Sequence, residues 1–284
     1  MLRTARRLHA ALAGHPLTVA DLRWPSLATV ELTGREVLEV ISVGKHLLTR
    51  IEGGVTLHSH LRMDGSWHLH RTGERWAAAR AEHKIRAVLA NTGWTAIGHD
   101  LGMLDLVGTD AEGTLIGHLG PDVLGPGWDP RQAVRRLADT PERPVGEALL
   151  DQRVLAGVGT FYMAEALFLR GVTPWTPVAQ AGDLPALIDL VHRLMAANAA
   201  RGIQATTGDL RPGRTQYVHS RSGRPCRRCG GQVRVARIGA PPVDRVAFYC
   251  PGCQRGPAPT DDGRPQRPLG AGGRGPIRRP GYTG

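Results

Sequence analysis

The chain has 284 residues, 41% of them apolar, which gives room for about two domains and a sizeable buried core. Lys and Arg outnumber Asp and Glu by 36 to 25, a formal charge of +11; such an excess points to a polyanion, most often nucleic acid, although free use of arginine would also produce it. No apolar run approaches the ~18 residues of a transmembrane helix, and the basic N-terminus lacks the apolar stretch of a secretory signal, so the cytoplasm is expected.

The opening "MLRTARRLHAAL" places Ala5, Leu8 and Leu12 at helical spacing, with Arg3, Arg6 and Arg7 on the other side. No Ser, Thr, Asp or Asn precedes this helix to cap it, so the sequence reads as starting inside an element. Residues 17 to about 118 read mostly as strands. "VLEVISVGKHLLTRI" runs into the turn "EGG" and then "VTLHSHLRM"; "KIRAVLANTGWTAIGHDL" is a hairpin turning at Asn91-Thr92-Gly93. The Gly- and Pro-dense segment 117–129 reads as a linker. Helices follow. Asp129-Pro130 opens "RQAVRRL", Pro144 opens "PVGEALLDQRVL", Thr160 can cap "FYMAEALFLRG", and Asp183 with Pro185 starts "ALIDLVHRLMAANAARG". No internal repeat is evident. Residues 256–284 hold eight Gly, six Pro and five Arg against two Asp, a composition expected to be disordered.

All four cysteines fall in one pattern, Cys226-x2-Cys229, twenty residues, Cys250-x2-Cys253. Two thiolate pairs on tight turns supply four sulfurs to one tetrahedral Zn²⁺, and a site closed by four sulfurs is structural rather than catalytic. Two disulfides are the alternative, disfavoured in the cytoplasm. Between the pairs, "QVRVARI" and "RVAFYC" read as a small hairpin whose loop carries Arg237 and Arg245; an arginine there can enter a DNA groove or simply be solvated. Gly157-Val158-Gly159 leads into the helix at Thr160, whose first N–H groups can hold an anion such as a DNA phosphate; plain helix packing is equally open. A dinucleotide fingerprint is excluded, because Tyr162 stands at the third glycine position and a helical segment precedes.

Several stretches together resemble the Fpg/Nei family, the formamidopyrimidine-DNA glycosylases and endonuclease VIII proteins. They are "GKHLL" (44–48), "HSHLRMDGSW" (58–67), "HLGPDVL" (118–124), "EALLDQRVLAGVGTFYMAEALFLRGVTP" (147–174), "YVHSRSGRPCRRCG" and "DRVAFYCPGCQ". The resemblance spans residues 1 to about 255 and is nearest to the actinobacterial endonuclease VIII-like branch. It implies an α+β multidomain chain: an N-terminal β-sandwich with flanking helices (1–125), a helix–two-turn–helix DNA-binding domain (126–212), a C-terminal zinc-finger β-hairpin (213–255) with one structural Zn²⁺, and the tail (256–284). Damaged double-stranded DNA would lie in the cleft between the halves, bound by a monomer in the bacterial cytoplasm at the nucleoid, with no membrane involved. The implied activity is that of a base-excision-repair DNA glycosylase and abasic-site lyase on oxidised bases, pyrimidines favoured, with the target nucleotide flipped out of the stack.

The resemblance also assigns residues. Lys45 matches the lysine that contacts phosphate at the lesion and assists the chemistry. Met63 fills the hole left by the flipped base, as an unbranched thioether can; Arg62 contacts the orphan base and His60 the DNA backbone. Thr160 stands where many members have asparagine, and so offers one hydroxyl to a phosphate; Arg245 grips phosphates from the zinc-finger tip. One departure concerns the start. Family members begin Met-Pro-Glu-Gly-Asp-Thr; the proline amine attacks the sugar C1′ to form a Schiff base, and the glutamate transfers the proton. Here Met1-Leu2-Arg3 enters the helix directly. Two expectations follow: a start codon assigned too late, or a non-catalytic protein that binds damaged or abasic DNA. The uncapped helix and the retained Lys45, Met63 and cysteines favour the first.

Overall fold

The computed structural model describes residues 1–74 and 82–259; the tail expected at 256–284 lies outside them from residue 260 on. Contacts divide the chain into two compact units. The first comprises Met1–Pro141, Ala148–Gly159 and Asp183–Gln204, the second Glu142–Glu147, Thr160–Gly182 and the chain from Ala205 on.

The first unit begins with helix α1 (Leu2–Leu12), whose Ala5, Leu8, Ala11 and Leu12 are buried and whose arginines are on the outside, as the spacing predicts. No side chain caps its start. Among the described residues nine strands follow in this unit: β1 (His15–Pro16), β2 (Val19–Leu22), β3 (Glu36–Val43), β4 (His46–Ile51), β5 (Val55–His60), β6 (Ser66–Arg71), β7 (Ile85–Ala90), β8 (Trp94–His99) and β9 (Met103–Gly108). They form two antiparallel sheets, ordered β1-β3-β4-β5-β9 and β2-β7-β8-β6. Leu17, Leu47, Ile51, Leu57, Leu89, Ala96 and Leu104 share one core with the buried face of α1, the sandwich expected from the sequence. The α1 helix is tied to β3 where the Val40 amide donates to His9 Nδ1 (3.1 Å). Two turns were legible in advance. The β4–β5 turn falls at Glu52–Gly54, and the β7–β8 turn at Asn91–Gly93, where Asn91 Oδ1 accepts from the Gly93 and Trp94 amides (2.9 and 2.8 Å).

Helices α2 (Gly113–Ile116), α3 (Pro130–Ala138), α4 (Val145–Leu150), α5 (Thr160–Arg170) and α6 (Leu184–Asn198) are the other α-helices among the described residues. Both predicted aspartate caps are formed: Asp129 accepts from the Arg131 amide and Asp183 from the Ala186 amide (2.8 and 2.9 Å). Within the first unit α3 packs on α6, and Trp128 stacks on His192. The stretch 117–129, read as a linker, is fastened to this unit. Val123 is fully buried, Asp122 bridges Ala156 in parallel fashion, and Ala156 N donates to the Pro121 carbonyl (3.0 Å). Its glycines and prolines shape a docked strap, which composition alone does not distinguish from a tether.

In the second unit α5 is buried from Tyr162 through Phe168 and packs on a two-stranded sheet of β10 (Arg234–Ile238) and β11 (Arg245–Tyr249). Among the described residues no helix is long and apolar enough to cross a membrane.

Asn91 is 2% exposed and also donates from Nδ2 to the Ala11 carbonyl at the end of α1 (2.8 Å). Asn91→Ala removes three hydrogen bonds and strands a carbonyl beneath the sandwich. It is expected to lower stability by about 3 kcal/mol, read as a fall in the urea midpoint.

Candidate nucleic-acid interface and metal centre

Lys45 sits at the Gly44-Lys45 turn between β3 and β4, a hairpin that the sequence reading ran through as continuous strand. Gly44 has φ +58°, and a Cβ there would come within 3.1 Å of the Ala156 Cβ and 3.3 Å of the Gly157 amide nitrogen. Only glycine fits such a close approach without displacing a neighbour. The Gly44 amide donates to Asp122 Oδ2 (2.9 Å), so the turn is docked on the strap. Beyond it, Lys45 Nζ donates to the Val158 carbonyl (2.6 Å). Gln152 Nε2 donates to the same carbonyl (3.1 Å), while Gln152 Oε1 accepts from Gly157 N (3.0 Å). The ammonium is thus held by a loop that Gln152 and Asp122 stiffen.

Beside Lys45 lies a group of imidazoles. His46 Nδ1 is 2.8 Å from His58 Nε2, and His58 Nδ1 is 3.0 Å from Asp105 Oδ2. The His46 ring stacks on His58 and meets His60 and His118 edge-on, with centroids 5.1 and 6.3 Å away. Sheet register explains the grouping, since His46 stands opposite His60 and His58 opposite Asp105. Burial, followed by the neighbouring histidines and Lys45, depresses His46 to about 4. His60 is likewise held at about 4 by burial, then by His58, Lys45 and Arg62. His60 Nδ1 accepts from the Arg62 amide (2.9 Å), which leaves Nε2–H as the outward donor of the neutral ring.

Arg62 and Met63 occupy the tight turn between β5 and β6. Arg62 adopts φ +50°, and its side chain covers Gly102, where a Cβ would meet Arg62 Cδ at 2.5 Å. Met63 is 93% exposed. That decides against core packing and for a thioether standing clear of the protein. A groove beside it is lined by Arg62, Met63, Lys84 and Arg86.

Thr160 and Arg245 belong to the second unit. Thr160 is the first residue of α5 rather than a cap outside it. Arg245 opens β11 opposite Ile238, is exposed, and donates to the Val243 and Asp244 carbonyls at the hairpin tip (2.7 and 3.0 Å). Arg237 lies on β10, paired with Asp244 (2.9 Å), and not in the loop as expected. The four cysteines converge, with every ligand atom within 4.8 Å of the others. Cys226 Sγ is 3.8 Å from Cys253 Sγ, and Cys229 Sγ is 3.5 Å from Cys250 Sγ. A tetrahedron with Zn–S bonds of about 2.3 Å has S···S edges of about 3.8 Å, so the set fits such an ion. The Gly231 backbone N–H, with the neighbouring thiols, draws the Cys229 thiol down to about 7, while burial pushes the Cys250 and Cys253 thiols up.

Sequence reasoning missed Asp122, Gln152, the His46–His58–Asp105 chain and Glu165. Glu165 is fully buried. It accepts from the Tyr217, Val218 and His219 amides (2.8, 2.8 and 2.9 Å) and from the Thr206 hydroxyl. The single carboxylate in the otherwise apolar "TFYMAEALFLR" was the available signal, because a buried anion demands several donors.

Comparison with known proteins agrees with this geometry. The formamidopyrimidine-DNA glycosylase N-terminal domain matches residues 2–101 and the formamidopyrimidine-DNA glycosylase H2TH domain matches 119–209. The chain belongs to the Fpg/Nei family, in its actinobacterial branch. It is 53% identical, over 92% of its length and 94% of the relative's, to a probable endonuclease 8 2 of Streptomyces coelicolor. It is 43% identical, over 88% and 95%, to the DNA-(apurinic or apyrimidinic site) lyase Nei2 of Mycolicibacterium smegmatis. The fold matches that of Lactococcus lactis Fpg, solved with abasic-site DNA, at a TM-score of 0.72 and 21% identity over 89% of this chain and 97% of that one.

His219 lies between Phe161 and Phe248, ring centroids 5.2 and 5.1 Å away, and burial depresses its pKa to about 4. The unfolded chain therefore protonates first, near pH 6.5, and stability present above that pH is lost as pH falls toward about 4. His46 and His60 add to the loss over the same window. Thermal midpoints recorded from pH 7 to pH 4 are expected to fall, and to fall less steeply in His219→Phe.

Proposed function

We propose that this protein is a DNA glycosylase with abasic-site lyase activity, acting in base excision repair on oxidised bases, pyrimidines favoured. One observation carries the reading: Lys45 is fixed beside the partly buried imidazoles of His46 and His60, in the same compact unit that presents Met63 clear of its surface. The names of the relatives, endonuclease 8 and abasic-site lyase, support it. Lys45 and His60 hold phosphate at the lesion. Met63 wedges into the stack vacated by the flipped nucleotide, and Arg62 meets the orphan base. The first N–H groups of α5 with the Thr160 hydroxyl take a second phosphate, and Arg245 a third from the hairpin tip. The four cysteines hold one Zn²⁺ that closes the hairpin base, so that Arg245 is offered on a rigid arm. The protein works as a monomer on double-stranded DNA, at the nucleoid in the bacterial cytoplasm.

In the reaction an amine attacks the sugar C1′, the base departs with a proton, and the resulting Schiff base acidifies the C2′ proton for strand cleavage by elimination. The proline and glutamate that the resemblance assigns to the first steps do not stand before α1 in this sequence. The second reading is a protein that binds damaged or abasic DNA without cutting it. Borohydride trapping on abasic duplex separates the two, using the protein beginning at Met1 and one extended through the in-frame upstream codons. The extended protein is expected to be trapped and the Met1 protein to bind without being trapped. An extended protein that binds but never cleaves removes the enzyme reading. Trapping of the Met1 protein removes the assignment of the nucleophile.

Cys250→Ser opens the closed set of four sulfurs. It is expected to lose stoichiometric zinc in metal analysis and to weaken duplex affinity by about tenfold or more; unchanged affinity would remove the finger from the DNA interface.

A further inference from the structure

The function proposed above assigns His46, His58 and Asp105 no contact of their own, and the hydrogen bonds that link them have a direction. Asp105 is a carboxylate and can only accept, so His58 donates to it from Nδ1 (3.0 Å). A His58 ring with a single proton, on Nδ1, has its lone pair on Nε2, where it accepts from His46 Nδ1–H (2.8 Å). His46 is thereby left with a lone pair on Nε2. In this state it has nothing to donate to an anion. His60 is wired the opposite way: its Nδ1 is occupied by the Arg62 amide (2.9 Å), and its Nε2–H is already a donor.

Resting on the reading that a DNA phosphate is held at Lys45 and His60, we propose that His46 is a further phosphate ligand of this site, and that the His58–Asp105 relay makes phosphate binding there coupled to the uptake of one proton at His46 Nε2. The uptake turns a lone pair into an N–H⁺ donor. The relay behind it accepts from Nδ1–H in both states and ends in a negative charge, so it supports the cation without any rearrangement. Asp105 is 42% exposed, while His58 is 1% exposed, so the anion stands at the solvent edge and reaches His46 only through the buried ring.

The groups facing His46 make it neutral until an anion arrives. They are His58 and His60 from β5, His118 from the segment after α2, and Lys45 from its own turn. With Lys45 charged and the site partly buried, His46 is held at about 4. A phosphate adds the negative charge that reverses this balance. The complex then binds one proton more than the free protein, so affinity must rise as pH falls, by ~10-fold per pH unit while the uptake lasts. His60 already offers its donor and contributes affinity without taking up a proton.

Titration calorimetry on a duplex with a chemically reduced abasic site, in two buffers of different ionisation enthalpy from pH 8 down to pH 5.5, tests this. The full-length protein is expected to bind at pH 8 and to take up about one proton as pH falls. His46→Gln is expected to bind with the proton uptake abolished. Asp105→Asn should move the uptake to lower pH, because the relay loses its anion. His60→Gln should weaken binding about tenfold and leave the uptake in place. Binding at pH 8 with no uptake at lower pH, or uptake that survives in His46→Gln, overturns the relay and leaves the proposed function standing. No binding at any pH overturns both.

Discussion

Much of the first unit's chemistry depends on one carboxylate. Asp122 accepts from Gly44 N through Oδ2 and from Leu124 N through Oδ1 (2.9 and 3.1 Å). One side chain thus fixes the β3–β4 turn and shapes the strap that the turn leans on. Gly44 allows the close approach, Ala156 and Gly157 form the surface approached, and Lys45 extends from the docked turn to a carbonyl that Gln152 also grips. Lysine is a flexible four-carbon stem whose placement ordinarily costs rotamer entropy. Here the backbone beneath it is pinned, and its ammonium has a fixed partner before any ligand arrives.

The second unit uses the same device with a different group. Glu165 collects three consecutive amides, Tyr217 to His219, from the segment leading to the first cysteine pair. Helix α5 is otherwise apolar around its full circumference, so this carboxylate is its polar fastening to the chain that follows. At the far end, two thiol pairs close the base of the hairpin that carries Arg245. The hairpin has only two strands of five residues, too little to be stable alone. Packing on α5 and closure by the sulfurs supply what pairing cannot.

How much of this the sequence disclosed depended on whether the signal was local. The buried face of α1, the Asn91 turn, the aspartate caps at 129 and 183 and the spacing of the cysteines are contained within a few residues, and they read correctly. Asp122 did not. Its amide partner at Gly44 is 78 residues away, and a Gly- and Pro-rich segment has the same composition whether docked or free. The histidine chain depended on register. Residues 46, 58 and 105 come together because β4, β5 and β9 pair in one alignment, and a shift of one residue would turn each side chain to the other face. The strand period puts His58 and His60 of "HSH" on one face, but nothing local tells what stands across from them. The β3–β4 turn was hidden because strand-forming runs, "EVISV" and "HLLTRI", stand on both sides of a two-residue break at Gly44-Lys45.

The choice of imidazole at this place follows from two requirements that conflict. A site for a polyanion needs positive charge, yet a partly buried pocket already holding Lys45 raises the free energy of every further permanent cation. Replacing His46, His60 and His118 with Lys or Arg would gather four like charges where dielectric screening is weak. Neutral histidines avoid that repulsion in the empty site: burial and mutual proximity hold His46 and His60 at about 4, and the Nδ1 of each is hydrogen-bonded within the protein. Charge can then appear in response to an anion rather than ahead of it. Only a group whose ordinary pKa lies near neutrality can be shifted by burial in one direction and by a phosphate in the other. Lysine and arginine stand too far above neutral pH, and the carboxylates carry the wrong sign.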